Sequence, residues 1–96
     1  MEKSIDDIRC EWCREKLNPN LECVPFITLN MIVKLNNANI TNVYQLIGML
    51  LTIYEEKDSD DIYVQKCKNL LETFEINEED YRLSLACILT KISLLF

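Results

Sequence analysis

Residues 43–54 read V-Y-Q-L-I-G-M-L-L-T-I-Y, and this stretch limits the possible folds more than any other. At about 100° per residue its apolar side chains cover most of a helical circumference. Val43, Ile47, Leu50, Leu51 and Tyr54 make one side, flanked by Leu46 and Ile53. Only Gln45, Gly48 and Thr52 form a less apolar strip. A helix that is apolar nearly all round is buried on several sides. The expected fold is therefore a compact all-α domain with this helix at its centre. Gly48 is the only glycine in the chain. Glycine inside a helix costs about 1 kcal/mol relative to alanine, and the commonest reason to keep it is the close approach of another backbone. Two readings stay open: packing within the monomer, or a subunit contact across the Gln45–Gly48–Thr52 strip with Met49 and Ile53 beside it.

The flanking sequence divides into four more helices. Ser4 opens the first, with Asp7 three residues on as a capping-box partner. Ile5, Ile8 and Trp12 share its inner face, and Asn18-Pro19-Asn20 stops it. Leu21 to Phe26 reads as an irregular connector, because Pro25 biases Val24 away from helix. Thr28 is the expected N-cap of a short second helix ending near Asn36, followed by the turn Asn36–Asn39. Thr41 is the expected cap of the central helix. Ser59 caps the fourth, with Tyr63, Cys67, Leu70, Leu71 and Phe74 inward and Lys66, Lys68 and Glu72 facing solvent. Asn77 caps the last helix, whose core face is Tyr81, Leu85, Ile88, Leu89, Ile92 and Phe96. Leu83, Cys87 and Leu94 form a second apolar strip on its far side, which favours a subunit contact.

Length and charge bound the rest. A chain of 96 residues is expected to be one domain, residues 1–96, able to build one core. One glycine and two prolines are too few for the turns of a β-sandwich or barrel. The net charge of −6 divides into −1 for residues 1–48 and −5 for residues 49–96, the opposite sign from a general polyanion binder. The N-terminus is charged and amphipathic, so no secretory signal is expected. The longest apolar run is about a dozen residues, against roughly 20 needed to cross a bilayer, so no membrane insertion is expected.

The chemistry expected of an enzyme is missing. There is no histidine to act as the usual general base, and one glycine cannot make a phosphate-cradling loop. Cys10 and Cys13 form a C-x-x-C pair, but a zinc site needs two further ligands. The odd set Cys10, Cys13, Cys23, Cys67 and Cys87 fits free thiols in a reducing compartment. No catalytic residue, metal or cofactor is expected. Acid clusters at Asp58–Asp61 and Glu78–Asp80 sit at helix starts, where capping and dipole compensation suffice.

From Val24 onward the chain resembles the barrier-to-autointegration factor family of small helical chromatin proteins. V-Y-Q-L-I-G-M-L-L resembles the family's central-helix signature, Ile62-Tyr63 a Leu-Phe pair opening the next helix, and L-A-C-I-L-T-K-I-S-L-L-F its C-terminus. Val24 to Gly48 aligns without gaps, while the connector at 55–61 is a few residues longer. The resemblance implies a compact five-helix fold and a two-fold dimer to which the central and last helices contribute. The family glycine matching Gly48 lies where subunits meet. It also implies LEM-domain or chromatin partners and a nuclear location, with the cytoplasm as the other possibility. The family grips duplex DNA through a helix-hairpin-helix whose Gly-x-Gly turn brings backbone amides to phosphate at a helix N-terminus. Here Phe26, Ile27 and Thr28 stand in that turn, Asp7 stands for a helix 1 lysine, and Asn39 for the glycine between the hairpin's helices. Of the family's basic contacts only Lys34 can be placed.

The hairpin is therefore degenerate, and DNA binding is expected to be weakened or lost. The function expected is a non-enzymatic interaction module, dimerising with itself or a relative through Gln45, Gly48, Met49, Thr52, Ile53, Leu83, Cys87 and Leu94. The alternative is a sequence-independent duplex-DNA binder using Ile27, Thr28 and Lys34, with Arg9, Arg14 and Lys16 adding a small basic patch. An unrelated helical adaptor of the death-domain or SAM-like kind is a third reading.

Overall fold

The computed structural model describes residues 4–95. Five α-helices run in order: α1 Ile5–Arg14, α2 Leu29–Asn37, α3 Val43–Thr52, α4 Asp60–Thr73 and α5 Glu78–Leu95. A single 3-10 turn, Leu21–Cys23, lies between α1 and α2, and no strand occurs among the described residues. The radius of gyration is 12.9 Å, close to the ~13 Å of a compact chain of this length. Among the described residues no helix is long and apolar enough to cross a membrane.

Local chemistry explains where most helices start. The hydroxyls of Ser4, Thr28 and Ser59 each accept the backbone N–H three residues on, at Asp7, Met31 and Ile62. Each thereby satisfies one of the donors a helix leaves orphaned at its start. The cap of α3 is Asn42, not the expected Thr41. The Asn42 side chain accepts from Gln45 N–H at 2.8 Å. Gln45 Oε1 reaches back to accept from the Thr41 backbone N–H at 2.6 Å and its hydroxyl at 3.0 Å. The two side chains share the work of a capping box one residue later than the sequence suggests.

Helix ends are equally local. At the end of α2, Ile40 N–H donates to Leu35 O at 2.9 Å and Asn39 N–H to Asn36 O at 3.0 Å. At the end of α4, Ile76 N–H donates to Leu71 O at 3.3 Å and Glu75 N–H to Glu72 O at 2.9 Å. Both are Schellman closures, and the buried pairs Ile40/Leu35 and Ile76/Leu71 seal them. The turn residues Asn39 and Glu75 take φ of 66° and 65°. Asparagine tolerates that conformation; glutamate is strained by it.

The core does not centre on α3. Its fully buried residues, Val43, Leu46, Ile47 and Leu50, cover an arc of about 100°. Leu51 is half-buried, and Tyr54, expected inside, is about half exposed, its ring edge-on to Tyr63 at 5.3 Å. The hub is α5, which packs against α1, α2 and α4. Its buried residues Tyr81, Ser84, Leu85, Cys87, Ile88, Lys91 and Ile92 span about 160°. Cys87, expected on an outward strip, is only 1 % exposed because α1 packs against that side of α5. Leu83 is half-buried and Leu94 exposed, so the expected strip is broken. Phe96, expected on the core face, lies outside the described residues.

Lys91 is the buried exception among apolar neighbours, 2 % exposed. Its ammonium donates to Trp12 O at 2.8 Å, Cys13 O at 3.1 Å and Glu15 O. It also sits 5.2 Å from the centre of the Trp12 ring. The carbonyls at the end of α1 are thus closed by a cation at the negative end of the helix dipole, Trp12 O also accepting from Glu15 N–H at 3.2 Å.

Candidate functional site

Three surfaces bear on the expected functions, beginning with the outer face of α3. Gln45, Gly48 and Thr52 are all exposed, with Met49 and Ile53 half-buried beside them. A Cβ built on Gly48 meets no atom within 4 Å. Packing within the chain therefore gives no reason for the glycine, which removes the first of the two readings of Gly48. Tyr44, one turn before it on the same side, is 55 % exposed. The strip is a smooth notch beside a large aromatic, with Gln45 turned back onto Thr41 and the Thr52 hydroxyl turned onto Met49 O at 2.6 Å.

The second surface is the start of α2, where a phosphate would meet free amides. Thr28 caps it, and its hydroxyl also donates to Asp80 Oδ1 at 3.3 Å. Asn30 Nδ2 donates to Asp80 Oδ2 at 2.8 Å. A carboxylate from the first turn of α5 therefore lies where an external anion would lie, and it complements the positive end of the α2 dipole. Sequence reasoning assigned Asp80 only to its own helix start; nothing local in the sequence links it to a residue 50 positions away. Ile27 and Thr28 are half-buried. Phe26, expected to restrict the turn, nevertheless adopts φ of 65°, the left-handed conformation glycine favours, and packs against the core. Lys34 faces Glu75 at 3.7 Å and so already has a carboxylate opposite it.

The third surface is the outer side of α1 near the end of α5. Arg9 bonds Asp6 at 2.9 Å on the exposed face. A shallow groove of about 360 Å³ is lined by Arg9, Cys10, Cys13, Arg14, Thr90 and Leu94. A second, polar depression of about 170 Å³ lies between the 3-10 turn and α2, lined by residues including Asn20, Asn36 and Thr41.

The thiols and charges arrange themselves as structure. All five cysteines are free. Burial pushes the thiols of Cys13 and Cys67 up, and that of Cys87 from 9.0 to about 11. At neutral pH these three are thiols, the unreactive form. Among the described residues no three His, Cys, Asp or Glu side chains gather to hold a metal ion. Burial, and then the hydrogen bond it donates to Glu72 at 2.8 Å, push Tyr81 from 10.0 up to about 12. Burial also raises Tyr63, whose hydroxyl donates to Leu50 O at 2.7 Å and ties α4 to α3. Lys66, expected in solvent, instead bridges Asp58 and Glu55, whose hydrogen bonds raise its pKa and hold the α3–α4 connector. Glu72, exposed as expected, accepts from Tyr81. Comparison with protein-family models, with curated proteins and with solved structures finds no match.

Proposed function

We propose that the chain is a non-enzymatic interaction module resembling barrier-to-autointegration factor. It dimerises with itself or with a relative through the α3 notch, grips DNA weakly or not at all, and acts in the nucleus beside LEM-domain or chromatin partners. The observation that carries this reading is the Asp80 carboxylate seated on Thr28 and Asn30 at the start of α2. A phosphate there would displace an internal anion and meet its repulsion. The exposed, uncontacted Gly48 supports the dimer half of the reading, since its cost in the helix has no repayment within one chain.

The competing reading, a duplex-DNA binder, draws support from the left-handed backbone kept at Phe26 and Asn39, the positions of the family's hairpin glycines. A gel shift with plain duplex DNA at low salt separates the two. Absence of a shift favours the interaction module. A shift that weakens steeply with salt favours phosphate binding.

Sedimentation tests the dimer. The wild type is expected to run at twice 11.3 kDa at tens of micromolar, and Gly48→Glu at 11.3 kDa while still folded. A wild type that is monomeric at tens of micromolar and captures no partner from a nuclear extract overturns the proposal. Gly48→Ala gives a second readout. Without a partner the added methyl meets nothing, so the monomer is expected to gain about 1 kcal/mol. At a close subunit contact the same methyl weakens association.

A further inference from the structure

Two surfaces of this chain are complementary in charge and both expose apolar side chains. The α1–α5 groove carries Arg14 and Arg9, the latter already bonded to Asp6 at 2.9 Å, and Leu94, which also lines it, is 66 % exposed. Among the described residues Arg14 forms no ion pair. The second surface is the connector from α3 to α4 with the first turn of α4. Glu56, Asp60 and Asp61 are exposed there, none of them in an ion pair among the described residues. Tyr54 and Ile62, at either end of this acidic run, are 52 % and 49 % exposed.

We infer that the groove of one copy takes the acidic edge of another, a head-to-tail contact separate from the α3 notch and independent of the function proposed above. The arginines face Glu56, Asp60 and Asp61, while Leu94 covers Tyr54 and Ile62. Each surface sets charges beside exposed apolar side chains, an arrangement that gives register and selectivity to a contact. The chain's net charge of −6 opposes association at long range. At physiological salt that repulsion is screened beyond about 8 Å, whereas charges in contact are not. The groove is small, so the contact is weak and forms at high protein concentration. Because it joins unlike surfaces, it adds copies in a row rather than closing a pair.

The test is a charge swap in the Gly48→Glu background, which removes the α3 notch from the readout. Gly48→Glu is monomeric at tens of micromolar, and sedimentation equilibrium at about 0.15 M salt and at protein concentrations well above that is expected to show a mass above 11.3 kDa that rises with concentration. Adding Arg9→Glu with Arg14→Glu returns the mass to that of the monomer. Adding Glu56→Lys with Asp61→Lys does the same. An equimolar mixture of these two variants, each folded by its melting curve, regains association. The inference is overturned by a Gly48→Glu chain that stays monomeric at the higher concentrations too, by association that survives either charge reversal, or by a mixture no heavier than its parts. If Gly48→Glu does not fold, the same series in the wild-type background reads mass beyond two copies, with the same outcomes deciding.

Discussion

Lys91 carries a charge into the interior, and its ammonium meets the carbonyl oxygens of Trp12 and Cys13 in α1 and of Glu15, just past the end of that helix. Lys91→Met keeps the length of the side chain and removes all three bonds. It is expected to cost about 2–4 kcal/mol in urea unfolding, since the last carbonyls of α1 lose their partners. Emission from Trp12, the only tryptophan, should shift toward that of a solvated indole as α1 loosens. Glu75 is the opposite case, a residue whose backbone conformation opposes its side chain. Glu75→Gly removes a left-handed strain of about 1–2 kcal/mol and adds unfolded-state entropy of about half that. Its ion pair with Lys34 is exposed on the glutamate side and contributes little. A net gain of about 0.5–1 kcal/mol is expected, read as a higher midpoint in urea.

At the scale of elements, the fold is a set of locally punctuated helices joined by a few long-range polar ties. Asp80→Ala breaks one such tie, leaving Asn30 and the start of α2 without their acceptor. It is expected to cost about 1–2 kcal/mol, and a gel shift of this variant asks whether emptying the site alone restores DNA binding. The punctuation was legible in the sequence because capping is settled within four residues: Ser4, Thr28 and Ser59 cap as expected. Thr41 and Asn42 are both good caps, and only the reach of Gln45 decides between them. The choice of hub was not legible. Residues 43–54 are apolar nearly all round, yet α3 buries one face while α5, interrupted by Ser84 and Lys91, occupies the centre. Periodicity counts apolar positions. It cannot register a lysine whose partners lie 76 to 79 residues away, nor Cys87 covered by a helix from the other end of the chain. That Gly48 calls for a reason was legible because a lone glycine in a helix is costly wherever it occurs; that the reason is not packing within the chain is visible only in the structure.

For the whole molecule, the groups whose protonation folding perturbs are nearly all ones held in their protonated form. Cys87 rises from 9.0 to about 11 and Tyr81 from 10.0 to about 12. The unfolded chain gives up these protons first, so their contribution is complete below about pH 9 and drains away as pH climbs toward 12. Unfolding free energy should change little between about pH 7 and 8 and fall by about 2 kcal/mol or more by about pH 11. Tyr81→Phe should flatten the part of that decline above about pH 10.

The clasp between Lys91 and α1 also sets an order of events in making the molecule. During synthesis the first helix emerges long before the residue that receives its open end. Until position 91 has left the ribosome, Trp12 and the final turn of α1 have no dock, so the N-terminal segment must wait for the 79 residues that separate Lys91 from Trp12. Docking of the first helix should accordingly follow the emergence of α5, and nascent chains stopped before residue 91 should leave that helix open to protease.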